Sequence, residues 1–146
     1  MNDAIVVGTD GSETAARAVE RAAALATGLG CPMHVVSAYE PVSDTELRRE
    51  RAAAHDERVA FHRQEEVDEV LERVAEQLNG NLDVHYHARV GDPARAILDV
   101  ARDAGAQLIV VGNRGMAGAR RFLLGSVPNT VSHHAHCDVM IVRTTD

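Results

Sequence analysis

The chain has 146 residues, 45% of them apolar and 25% charged, the make-up of an ordinary globular protein large enough to bury a core. A formal net charge of −7 gives no basic footprint for general nucleic-acid binding. All 15 basic residues are arginine, which excludes a Walker A loop and lysine Schiff-base chemistry alike.

No apolar run approaches the ~20 residues of a membrane span. Met1 to Gly8 enters an apolar stretch with no basic region before it, so no secretory signal is expected and a cytoplasmic location is. The length fits one domain over residues 1–146. Cys31 and Cys137 have no metal-type spacing and are expected to be free thiols in a reducing compartment.

Ala4 to Gly8 predicts a short apolar strand, closed by Thr9-Asp10-Gly11. Ser12 suits the N-cap of a helix whose Ala15, Ala18, Val19, Ala22, Leu25, Ala26 and Leu29 recur at helical spacing. Gly28 and Gly30 are expected to end it. Met33 to Ala38 predicts the second strand, and Pro41 turns the chain away. A long charged helix is expected from about Thr45 to Leu78, with Val59, Val67, Val70, Leu71, Val74 and Leu78 as its apolar positions.

Asn79-Gly80-Asn81 marks a turn, and Leu82 to Val90 alternates like a strand exposed on one face. His85 and His87 share one face of it and are expected to meet solvent. Asp92 as N-cap and Pro93 at the first helical position start a helix with Ala94, Ile97, Leu98 and Ala101 inside and Gly105 at its end. Leu108 to Val111 has the continuous apolar character of a strand buried on both faces. A glycine-rich loop follows, then a helix from about Ser126 and a last strand, Val139 to Val142. Regular alternation of strands and helices predicts an α/β fold, a parallel sheet with helices on both faces.

The loop is the informative stretch. A buried strand that opens into glycines and meets a helix start is shaped to hold phosphate: amides approach closely, and the helix N-terminus supplies donors and partial positive charge. Its ~13 residues also exceed the usual strand-to-helix join. The spacing Gly112-x-x-Gly115, nine residues, then Gly125-Ser126 resembles the nucleotide-binding signature of the universal stress protein family. The opening IVVGTDGS, the stretch Val90 to Gly112 and the ending from Gly125 to Arg143 resemble the same family, so the likeness covers nearly the whole chain.

The resemblance implies an open five-stranded Rossmann-like sheet of strand order 3-2-1-4-5, with ligand bound where the first and fourth strands diverge. It implies ATP, with or without Mg2+, as a signal or structural ligand in a stress response. The adenine would lie toward Ala38, the ribose or metal-bound phosphate toward Asp10 in the turn Thr9-Asp10-Gly11, and the phosphates on Gly112, Asn113, Arg114, Gly115, Gly125, Ser126 and Val127. Arg114 is the favoured cation, while Arg120 and Arg121 are expected to point outward.

Two other readings stay open. One is cyclic AMP, because VVGTDGS, SAY, VVGN and LLGSVP resemble actinobacterial members that bind it. The other is an interaction protein of the same fold whose loop binds no nucleotide. No catalytic residue is expected and at most slow ATP hydrolysis, since no nucleophile or paired-carboxylate site stands out. No metal site is expected, because His133, His134, His136 and Cys137 cannot all converge from so short a run. The resemblance also implies a homodimer paired through Val139 to Val142, and neither nucleic acid nor membrane is an expected partner.

Overall fold

A computed structural model describes residues 3–39, 59–78, 80–113 and 125–144. Strand β1 (Ala4–Gly8) leads into helix α1 (Glu13–Leu29), then β2 (Met33–Tyr39) and α2 (Val59–Gln77). Then come β3 (Val84–Val90), α3 (Pro93–Ala104), β4 (Ala106–Gly112), α4 (Ser126–His134) and β5 (Asp138–Val142). The strands form one sheet in the order β3-β2-β1-β4-β5, every pair parallel.

The sheet is covered on both faces because its strands are apolar on both. Ile5 and Val7 of β1 point with Met33, Val35 and Val110 toward Ala18, Ala22 and Ala26 of α1 and Val67, Leu71 and Val74 of α2. Val6 points the other way, with Val36, Ile109 and Val111, onto Ala94, Ile97, Val100 and Ala101 of α3 and Val131 of α4. The small residues along α1 and α3 let the helices lie close. At Gly8 an added Cβ would meet Ile97 Cδ1 at 2.4 Å, so α3 reaches the end of β1 only because that position lacks a side chain.

The helix ends follow the local signals. Ser12 Oγ accepts from the Ala15 amide at 3.1 Å, and Asp92 Oδ2 accepts from the Arg95 amide at 3.0 Å. Gly30 and Gly105 close α1 and α3 in the left-handed conformation, at φ 64° and 61°. Gly28 does not end α1: it lies inside the last turn, where a Cβ would meet nothing within 4 Å, so only its intrinsic cost of about 1 kcal/mol opposes the helix. The second strand runs one residue further than expected, through Tyr39, whose carbonyl accepts from the Gly91 amide at 2.7 Å. The third begins at Val84 rather than Leu82. Of the long helix expected from Thr45, the part before Val59 lies outside the described residues. Among the described residues no helix is long and apolar enough to cross a membrane.

Candidate functional site

Chain connection places the site. From β1 the chain passes through α1 to β2 on one side, while α3 returns from β3 across the sheet to β4 on the other side of β1. The carboxyl ends of β1 and β4 therefore lie side by side, with Val7 opposite Val110 and Gly8 and Gly112 beyond them. The chains leaving these strands turn apart and open the crevice in which parallel α/β sheets bind ligands.

The first wall is the turn after β1. The Thr9 amide still bonds to the Val36 carbonyl at 2.9 Å, extending the ladder by one residue. Gly11 then donates to Thr9 Oγ1 at 3.1 Å, and the Ser12 amide and hydroxyl both donate to Asp10 Oδ1, at 3.0 and 2.5 Å. Asp10 thus ties the turn to the start of α1, as Asp before Gly commonly does. Gly11 has φ 82°, and a Cβ there would meet Val70 Cγ2 at 2.6 Å, so α2 packs directly on the turn.

The second wall is the stem of the glycine loop. The Asn113 amide continues the β4–β5 ladder to the Val142 carbonyl at 2.9 Å, and the Asn113 carbonyl accepts from the Gly125 amide at 3.0 Å. The two ends of the loop are thereby joined, which sets the first turn of α4 against the end of β4. Gly125 caps α4 without a side-chain bond. Helix geometry gives the amides of Ser126 and Val127 no intrahelical acceptor, and Pro128 has no amide hydrogen to offer.

Of the sequence-predicted residues, Thr9, Asp10 and Gly11 form the first wall, and Gly112, Asn113, Gly125, Ser126 and Val127 the second. Ala38 lies near the end of β2, next to β1 in the sheet. Arg114 and Gly115, with Arg120 and Arg121, lie outside the described residues. The Asn113 side chain takes a part the sequence did not suggest. Its Oδ1 accepts from the Thr144 amide at 2.9 Å and from Thr144 Oγ1 at 2.8 Å, and Thr144 is 1% exposed. A polar residue beyond the last strand was the only signal for this clasp, and it is a weak one.

Of the two β3 histidines expected to meet solvent, His85 does and His87 does not. His85 is exposed and meets Asp83 Oδ1 at 3.2 Å. His87 is half-buried, its Nε2 2.8 Å from Nδ1 of His34 on β2, because parallel register sets Val36 opposite His87 and draws His34 between the two β3 rings. Burial lowers the His34 pKa. Burial, then His34, Arg89 and His85, push that of His87 to about 4. Neither cysteine is activated: both are free thiols raised by burial, with Asp3 and Asp138 adding to the rise at Cys31 and Cys137.

Comparison with known proteins shows the family and the fold. A sequence profile described as "Universal stress protein family" matches residues 1–143. The chain belongs to the universal stress protein family. Universal stress protein Rv1636 of Mycobacterium tuberculosis (strain ATCC 25618 / H37Rv) is 38% identical over 143 residues, 97% of this chain and 96% of that one. A solved universal stress protein in complex with cAMP is 32% identical, with a TM-score of 0.68 and 98% of each chain covered. The structure of MJ0577 superposes with a TM-score of 0.81 over 100% of this chain and 99% of that one, and at 24% identity it attests the fold. The strand order and layering of this universal stress protein are those the resemblance implied.

Proposed function

We propose that this universal stress protein binds an adenine nucleotide, ATP in the first reading, across the carboxyl ends of β1 and β4, as a signal or structural ligand in a stress response. The observation that carries the reading is the Asn113–Gly125 bond, which brings the α4 N-terminus against the end of β4, beside the Asp10 turn. Adenine lies toward Ala38 and ribose toward Asp10. The phosphates lie over Gly112 and Asn113 and on the Ser126 and Val127 amides, with Arg114, Gly115 and Mg2+ completing the ATP site. Binding then stabilises the folded loop by mass action.

The cAMP-bound relative, 32% identical to this chain, favours cyclic AMP as a second reading. Two amides at the start of α4 suit a singly charged cyclic phosphate, whereas a triphosphate draws on donors from residues 114–124 as well. Calorimetric titration with Mg-ATP and with cyclic AMP separates the two. Asp10→Ala and Gly115→Val should weaken the preferred ligand, and folded protein that takes up neither at millimolar concentration refutes the site. Turnover is at most slow; ATP hydrolysis that persists unchanged in Asp10→Ala is contamination.

We also propose a homodimer paired along β5, which lies at one edge of the sheet and leaves Ile141 39% exposed.

A further inference from the structure

Near the opposite end of the sheet from the loop, three imidazoles gather on the face that α3 covers in part. His85 and His87 are two apart on β3 and so share a face, and His34 of β2 lies directly opposite His85 in the register. The His34 ring stacks on His85, with centroids 4.7 Å apart, and meets His87 edge to edge through its nitrogen, with centroids 5.1 Å apart. Asp83 holds Nε2 of His85, the arrangement by which a carboxylate orients a ligating imidazole. His34 also borders an open depression of about 460 Å3 at the amino ends of β1 and β2, lined in part by Asp3, Cys31 and Gln107, so solvent ions reach it.

We propose that His34, His85 and His87 form a binding site for a divalent transition-metal ion of the zinc or nickel type, a site separate from the nucleotide crevice. Imidazole nitrogens suit such ions, and three of them with one water complete a tetrahedral shell. Donor atoms in that shell stand about 3.3 Å apart at metal–nitrogen distances near 2.0 Å. Nδ1 of His34 and Nε2 of His87 face each other at 2.8 Å, so as the ion replaces their shared proton the two must part slightly and their rings must swing until both nitrogens point at it. With Asp83 on its Nε2, His85 coordinates through Nδ1. Among the described residues no three donor side chains already surround one point, so the rings must turn from their present positions. That turn is about the Cβ–Cγ bond, whose torsional wells are broad in histidine, and His85 is half-exposed. Burial keeps His87 neutral at pH 7, the form that ligates. Across from these rings stand Arg89 of β3, which opposes a cation, and Asp103 of α3, which favours one. The bound ion would pin edge strand β3 to β2.

The test is titration of chelator-treated protein at pH 7.5 with Zn2+ and separately with Ni2+, against a chromophoric competitor. The expected result is one ion per chain at micromolar affinity, weakened at least about tenfold in His85→Asn and in His34→Gln. His85→Asn alters an exposed side chain and retains the fold, which circular dichroism checks. A double variant, His133→Asn with His136→Asn, should leave the affinity unchanged. Zn2+ should also raise the Tm of the parent protein and not that of His85→Asn. Binding that survives His85→Asn, or that is lost only in the His133 and His136 variant, overturns the site. So does an absence of binding at a hundred micromolar.

Discussion

Asn113→Ala tests whether the loop stem is held by its side chain. The substitution removes the one oxygen that accepts from both the amide and the hydroxyl of Thr144. Leaving a buried donor unmatched costs about 1–3 kcal/mol. Two donors are affected, but water can reach the half-buried Asn113 position, so the expected loss is about 2 kcal/mol. At the unfolding entropy usual for a chain of this length, that lowers Tm by about 6 °C. Urea denaturation followed by circular dichroism reads the loss. Asn113→Asp keeps an acceptor and should retain most of the stability, while Thr144→Val removes only the hydroxyl and should cost about 1 kcal/mol. The reasoning fails if Asn113→Ala changes stability by less than about 0.5 kcal/mol, within the scatter of ordinary surface changes. It fails in an instructive way if stability holds and nucleotide affinity drops, for then the side chain faces the ligand and not the stem.

Gly11→Ala should destabilise by about 2 kcal/mol, from its positive φ and from the collision with Val70, and Val70→Ala in the same chain should recover part of that. A double-mutant cycle with no coupling would remove α2 from the turn. His87 has a folded pKa of about 4, below its usual 6.5, so the unfolded chain takes up a proton first. Its contribution is complete above pH 6.5 and is lost as pH falls toward 4. Screening of the half-buried ring reduces the ~3 kcal/mol of the full shift to about 1. Chelator-treated His87→Gln should show a shallower decline over that window, and parallel curves would refute the assignment. Light scattering should give two chains per particle for the parent and one for Ile141→Arg on β5; a parent of one chain defeats the proposed dimer, and a variant still of two chains places the contact elsewhere.

How much of this was legible beforehand divides by the range of the interaction. Ser12, Asp92, Pro93, Gly30 and Gly105 act on neighbours within four residues, so the caps could be read directly, and alternating apolar runs gave the α/β class. The strand order followed from the family likeness and not from periodicity, because which strands lie together depends on how each crossover packs. The same limit hid His34: a single histidine in an apolar strand carries no signal until parallel register sets it opposite His85. It hid the Asn113 clasp too, since Thr144 lies 31 residues away and meets Asn113 only because β5 pairs with β4. Gly28 shows the converse error, a local signal overruled because only its small intrinsic cost opposes the helix before the left-handed cap at Gly30. The candidate crevice could be proposed from the sequence for a physical reason. Phosphate-type sites are made of main-chain amides, and glycines mark where those amides are exposed. The side chains that hold such a crevice open, Asn113 on one wall and Val70 behind the other, come from elements remote in sequence. Their substitutions, rather than those of the glycines, are therefore the sharper test of whether the loop is pre-organised before any ligand arrives.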